Sequence, residues 1–231
     1  MIEGKGMIAQ AFQKYKNNEN IFIFASGVSN SLEIDKDAFL REKDLLNKRL
    51  SEFPNAVFVY FSTCSIYDSS MQNSNYVQHK LEMEKIITQG SNSFYIFRLP
   101  QVVGKSNSPT LVNYLVNTIT NEQSFDIWEG STRNLIDVED VFKIINFIIE
   151  KQIFLNEITN IASSKSYYIK EIVLLIENIL GIEAKYSCID KGASYKIDTQ
   201  KIYEITKELL INFNDEYMNR IIRNNYVMES R

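Results

Sequence analysis

Apolar positions along the chain follow two rhythms. Three short, nearly unbroken apolar runs, over residues 21–25, 56–61 and 94–98, predict strands buried on both faces, as in the middle of a parallel sheet. Between them the apolar residues return at helical spacing. Phe39, Leu45, Leu46 and Leu50 make one stripe in a helix over 37–52, and a second helix is expected over 76–87. An amphipathic stretch to about residue 16 precedes the first run, after a very short opening strand and a glycine turn. Strands alternating with helices predict a parallel α/β sheet with right-handed crossovers. The second half is patterned differently. Helices are expected over 110–120, 138–151, 169–180, 199–210 and 215–224, with short strands near 124–128, 159–162 and 184–188. No repeat, low-complexity tract or separating linker interrupts the chain.

Composition narrows the class without naming a chemistry. With 45% hydrophobic and 23% charged residues the 231-residue chain reads as an ordinary folded protein, able to build one sizeable core. A net charge of −4 supplies no general attraction to nucleic acid or to an anionic membrane, so small molecules or another subunit are the expected partners. No apolar run reaches the roughly 20 residues a membrane span needs. Two distant cysteines, Cys64 and Cys188, and the lack of a signal peptide point to a reducing cytoplasm.

Candidate chemistry centres on Thr63 at the end of a strand, followed by Tyr76-Val77-Gln78-His79-Lys80. Residues four apart share a helical face, so the Lys80 ammonium stands beside the Tyr76 phenol and favours its ionised form. A tyrosine so placed is a general acid or base for a sugar or alcohol oxygen. The turn Gly4-Lys5-Gly6-Met7-Ile8-Ala9 fits G-x-G-x-x-A, in which small residues let backbone amides approach a pyrophosphate. Other residues read more plainly. His79 is expected on the surface, and Cys64 as a small buried residue beneath the site. Trp128 reads equally as a partner for a nucleotide base and as a core or hinge aromatic. Asp137, Glu139 and Asp140 read as helix N-terminal charges, with no metal site expected.

Taken in order, five segments resemble the extended short-chain dehydrogenase/reductase family, in its nucleotide-sugar epimerase/dehydratase branch. They are the glycine turn, Phe24 to Asn30, Phe61-Ser62-Thr63-Cys64-Ser65-Ile66-Tyr67, Tyr76-x-x-x-Lys80, and Phe97 to Gly104. Residues 130–140 are similar to the family's G-x-x-R-D-F-I-H-V-D-D, Asn160 to Ser163 to its N-I-G-S-G stretch, and Tyr195 to Asp198 to its late segment. The resemblance implies a Rossmann-like sheet with flanking helices and a small C-terminal α/β substrate-binding region. Residues 1–104 would form the cofactor-binding and catalytic region and 105–231 mainly the substrate-binding region, with some segments returning to the sheet.

The same resemblance assigns roles residue by residue. Thr63, Tyr76 and Lys80 are implied as catalytic, with Lys80 also holding the nicotinamide ribose. Gly4, Gly6, Met7, Ile8, Ala25 and Ser26 line an NAD or NADP cofactor, the two not being distinguished. Ser65, Gln101 and Arg133 meet the substrate, Arg133 at a phosphate. The implied activity is oxidoreduction or epimerisation of a nucleotide-activated sugar in surface-polysaccharide biosynthesis, by a possible homodimer. The alternative is a non-catalytic nucleotide- or sugar-binding module descended from such an enzyme.

Three departures shape the expectation. Only Asn17 to Asn20 separate the first helix from the strand at Ile21, so the family's second and third strands are expected to be missing. The loop between Thr63 and Tyr76 is short for the family. Cys64-Ser65 stands where sugar 4,6-dehydratases carry Asp-Glu, which argues against elimination of water.

Overall fold

In the computed structural model, described for residues 1–106 and 110–226, the central element is a five-stranded parallel sheet in the order β1 (Ile2–Glu3), β2 (Ile21–Phe24), β3 (Val57–Thr63), β4 (Phe94–Leu99) and β8 (Glu157–Asn160). Alternation of side chains across the strands sorts the core into two layers. Phe22, Phe58 and Phe94 are in register, as are Phe24, Tyr60 and Ile96, and they face helices α2 (Lys36–Glu52) and α3 (Asn75–Gly90) through Leu46, Leu50, Met83 and Ile87. The intervening Ile23, Val59 and Tyr95 face the opposite way. There they meet Val141, Ile144, Ile145 and Ile148 of α5 (Val138–Lys151), with Phe12 closing the end of the layer.

The first helix is shorter than its amphipathic pattern suggests. Helix α1 (Met7–Ala11) ends after five residues and gives way to a 3-10 turn over Gln13–Tyr15, which drops Phe12 and Tyr15 into the core. Strand β1 has only two residues and forms the sheet edge among the described residues. No strand pairs beyond it there, in keeping with the expected loss of two strands.

Beyond β4 the chain builds a second layer of elements. Strands β5 (Gln101–Val103), β7 (Thr132–Asp137) and β9 (Ser166–Tyr168) form a small sheet, and β6 (Ser124–Trp128) pairs with β10 (Lys185–Ile189). Helices α4 (Leu111–Thr120), α6 (Ile169–Leu180) and α8 (Tyr217–Tyr226) pack around them over Leu115, Phe125, Ile127, Ile172, Ile176 and Ile221. Strands β5, β7 and β9 were not expected from the pattern. They are short, and β7 buries Leu135 in one cluster and its neighbour Ile136 in the other, so it shows no simple alternation. Residues 199–210 split into a 3-10 turn over Gln200–Ile202 and a short α7 (Tyr203–Glu208). Strand β8 comes from this half of the chain yet completes the main sheet. No helix among the described residues is long and apolar enough to cross a membrane.

Gly4 joins β1 to α1 at φ +133°, and a Cβ there would lie 2.4 Å from the carbonyl oxygen of Ala25. Gly4→Ala should therefore cost about 1–3 kcal/mol through backbone strain and collision with β2. Urea unfolding measures the loss, and a wild-type midpoint would contradict the packing of this turn.

Candidate functional site

Because β2, β3 and β4 run parallel, their carboxyl ends collect on one side of the sheet, where open α/β folds bind ligands. Thr63 is the last residue of β3 and is buried. Its Oγ1 accepts the Ser65 N–H at 3.0 Å in the 3-10 turn that follows, which leaves the hydroxyl proton to donate elsewhere. Cys64 is buried beneath this turn, as expected, and its thiol donates to the Arg98 carbonyl at 3.3 Å. Burial pushes that thiol up to about 12, so it stays protonated and is a poor nucleophile.

Ser74 caps α3 by accepting the Val77 N–H, and so sets Tyr76 in the first turn and Lys80 one turn later on the same face. Tyr76 is largely buried among Val28, Val77, Ile66 and Met71, between the ends of β2 and β3. The Lys80 Nζ lies 6.0 Å from the centroid of its ring. Sequence spacing and structure agree on this pair.

Beneath the pair lies a residue that the motifs do not contain. Glu42 of α2 is wholly buried and accepts four hydrogen bonds. Its Oε1 takes the Tyr60 hydroxyl at 2.6 Å and the Lys80 ammonium at 3.1 Å; its Oε2 takes the Val28 N–H at 2.6 Å and faces His79 Nε2 at 3.0 Å. Lys80 also donates to the Tyr60 oxygen at 3.1 Å. Burial alone would raise the Glu42 carboxyl, but the Lys80 charge and the bonds from His79, Tyr60 and Val28 hold it well below the usual carboxylate range. Tyr60 goes the other way, raised well above an ordinary phenol by burial and by Glu42. Gly27 permits the arrangement, since a Cβ there would stand 2.6 Å from Lys80 Nζ and 2.8 Å from Glu42 Oε1.

His79 is thus not the surface residue that the sequence suggests. It is 6% exposed, packed at a tilt against Phe39 with ring centroids 4.8 Å apart, and turned toward Glu42. The missed signal was a carboxylate in the apolar stripe of α2, three residues after Phe39 and four before Leu46. A second buried carboxylate, Glu84, is held by the Ser62 hydroxyl and, bidentately, by the Nε and Nη2 edge of the Arg98 guanidinium at 2.6 to 2.8 Å.

The glycine turn meets the end of β2, with Gly4 against Ala25 and Ser26. Met7 packs its sulfur near Gly104, and the half-buried Ile8 packs against the core. The space where a Gly6 Cβ would stand is open to 4 Å. The turn therefore has room for the pyrophosphate of a dinucleotide. At the adenosine end, the strands that would carry a ribose-reading carboxylate are missing among the described residues.

Arg133 of β7 reaches the loop after Thr63. Its Nη1 donates to the Thr132 carbonyl at 2.8 Å and stands 3.5 Å from the buried Asp68. Tyr195 completes this wall beside Arg133, Asp68 and Cys64, its phenol pushed up to about 12 by burial, with Arg133 opposing. Ser65 sits in the 3-10 turn, and Gln101 opens β5 opposite Leu135 of β7. Of the remaining residues, Trp128 is 42% exposed at the end of β6, Asp137 caps α5 by accepting the Glu139 N–H, and Asp140 accepts the Tyr217 hydroxyl.

No functionally curated protein matches the chain by sequence. Solved structures do match its fold. The UDP-glucuronic acid 4-epimerase of Bacillus cereus superposes with a TM-score of 0.72 at 16% identity, over 94% of this chain and 76% of that one. The dTDP-glucose 4,6-dehydratase of Bacillus anthracis gives 0.68 at 16% identity, over 94% and 76%. A dTDP-4-dehydrorhamnose reductase of Clostridium acetobutylicum gives 0.61 at 14% identity, over 87% and 79%. The sequence model of the NAD dependent epimerase/dehydratase family matches residues 5–162, well over half of the chain. The strand-end threonine, the Tyr76 and Lys80 pair and the glycine turn thus stand in a chain that belongs to the NAD dependent epimerase/dehydratase family.

Proposed function

We propose that the chain catalyses proton and hydride transfer at a carbon–oxygen centre of a nucleotide-activated sugar, either reducing a 4-keto group or epimerising through one. What supports this reading is that Thr63 ends β3, while Tyr76 packs with Val28 just beyond β2 and Ile66 just beyond β3 and has the Lys80 ammonium over its ring. A nicotinamide cofactor held there would supply or accept the hydride. Thr63 donates its hydroxyl proton to the sugar oxygen and orients it. Tyr76 delivers a proton to that oxygen when the carbonyl is reduced, and removes it when the alcohol is oxidised. Lys80 would hold the nicotinamide ribose, and the Gly4 to Ile8 backbone the pyrophosphate.

Arg133 suits the sugar diphosphate. Its hydrogen bond to Thr132 and its ion pair with Asp68 both use Nη1, and a sugar diphosphate would be met through the Nε and Nη2 edge. That edge matches two oxygens of one phosphate. Elimination of water is not part of the reading, because Cys64 and Ser65 offer no carboxylate pair and the Cys64 thiol stays protonated. The reading extends to surface-polysaccharide biosynthesis, which draws on such modified nucleotide sugars.

Calorimetry of the purified chain with NADH and NADPH should detect binding of at least one; no heat from either at millimolar concentration would favour a non-catalytic binding module. A panel of UDP-, GDP-, CDP- and dTDP-sugars then identifies the substrate by turnover. Tyr76→Phe should lower kcat by about 100-fold or more while leaving NADH affinity unchanged. Arg133→Met should raise KM for the nucleotide sugar by about tenfold, the loss of a charge-assisted contact, with little change in kcat.

A further inference from the structure

We propose that Glu42 is a positioning residue for the proton transfer, holding the Lys80 ammonium under Tyr76 and offsetting its charge. The inference rests on the catalytic reading of Tyr76 and Lys80, and it concerns a residue outside every motif that supports that reading.

The geometry is specific to the pair. An ammonium has three protons, and two of the Lys80 protons are committed, to Glu42 Oε1 and to the Tyr60 oxygen, both at 3.1 Å. The third is left for a ligand. Glu42 cannot shift in turn, because the Val28 N–H, the Tyr60 hydroxyl and His79 hold both of its oxygens. The strand carrying Tyr60 and the helix carrying Lys80 are thereby tied to α2, and the ammonium has one position.

Charge makes the arrangement more than a brace. Two charges about 6 Å apart in a protein interior interact by an energy worth one or more pH units of ionisation. Lys80, its Nζ 6.0 Å from the centroid of the Tyr76 ring, therefore acts on Tyr76, and the Glu42 carboxylate at 3.1 Å from Nζ opposes that action. The groups that face this pair are Tyr60 from β3 and His79 and Tyr76 from α3. Glu84, one turn beyond Lys80, is offset by Arg98. His79 in turn lines an open groove with Lys36, Phe39 and Glu82, and so lies between Glu42 and the surface. Removing the Glu42 charge leaves the ammonium uncompensated and favours the ionised form of the acid/base group.

Glu42→Gln keeps the shape and deletes the charge. In the direction of alcohol oxidation, the acid limb of its kcat profile should move to lower pH by about one unit, whereas Glu42→Asp, which keeps the charge and withdraws it by one methylene, should leave the limb in place and lower kcat. A limb unmoved in Glu42→Gln, with kcat uniformly reduced, would make Glu42 merely structural and overturn the proposal. If the Gln variant does not fold, Tyr60→Phe serves instead: it removes one bond from each partner without changing charge, and unaltered kcat would overturn the proposal. A urea-unfolding cycle of Glu42→Gln, Lys80→Met and the double variant needs no cofactor. The double variant should lose less than the sum of the single losses, or fold where they do not; additive losses would overturn the coupling. If the catalytic reading itself fails, the wild-type chain shows no turnover while the unfolding cycle still reports the pair.

Discussion

A carboxylate shut away from water must have its hydrogen-bond donors brought to it, and Glu42 has four drawn from three parts of the fold. One comes from the backbone just after β2, one from the middle of β3, and two from the first turns of α3. Leaving such a charge unpaired costs several kcal/mol, about as much as the net stability of many domains. The relative placement of α2, β3 and α3 is therefore constrained by a polar demand as well as by packing. That demand is met directly beneath Tyr76.

Around this centre the parallel sheet performs the sorting. In-register phenylalanines fill the layer under α2 and α3, and aliphatic residues with Tyr95 fill the layer against α5. Both faces of β3 are covered, so its only approach to solvent is at its end, where Thr63 lies. The reduced side of the sheet fits the same logic. A two-residue β1 at the edge can hold the glycine turn against Ala25 and Ser26, but it carries no neighbouring strand among the described residues to build an adenosine pocket. In the proposed reading, grip on a dinucleotide then depends on the turn and on Lys80.

The wall proposed for the substrate is built from groups that stay in one protonation state near neutral pH. Cys64 and Tyr195 are both pushed up to about 12, chiefly by burial, and Arg133 is steadied by Asp68. In the proposed reading these groups orient and bind, and proton exchange is left to Tyr76. A second acid or base, which some epimerisations need, is not provided by this wall. Retention of the keto intermediate long enough to turn over, or its simple reduction, asks less of these residues.

The sequence by itself determined the alternation of strands and helices in the first half, the helices over 138–151 and 169–180, and the spacing that brings Tyr76 and Lys80 to one face. Those features are local, because periodicity and capping act over a few residues. The short strands β5, β7 and β9 were not legible, since three to six residues carry no period of their own and are strands only because each has a partner. Tertiary structure alone decided the fate of Glu42 and His79. Thirty-seven positions separate them, and a polar residue on an apolar stripe shows its cost in sequence but not its partner. Nor could sequence show that the Lys80 ammonium, named by its motif, is shared with a buried carboxylate. Electrostatic pairing depends on distance in space, and only the packing of α2 against α3 over the end of β3 sets that distance.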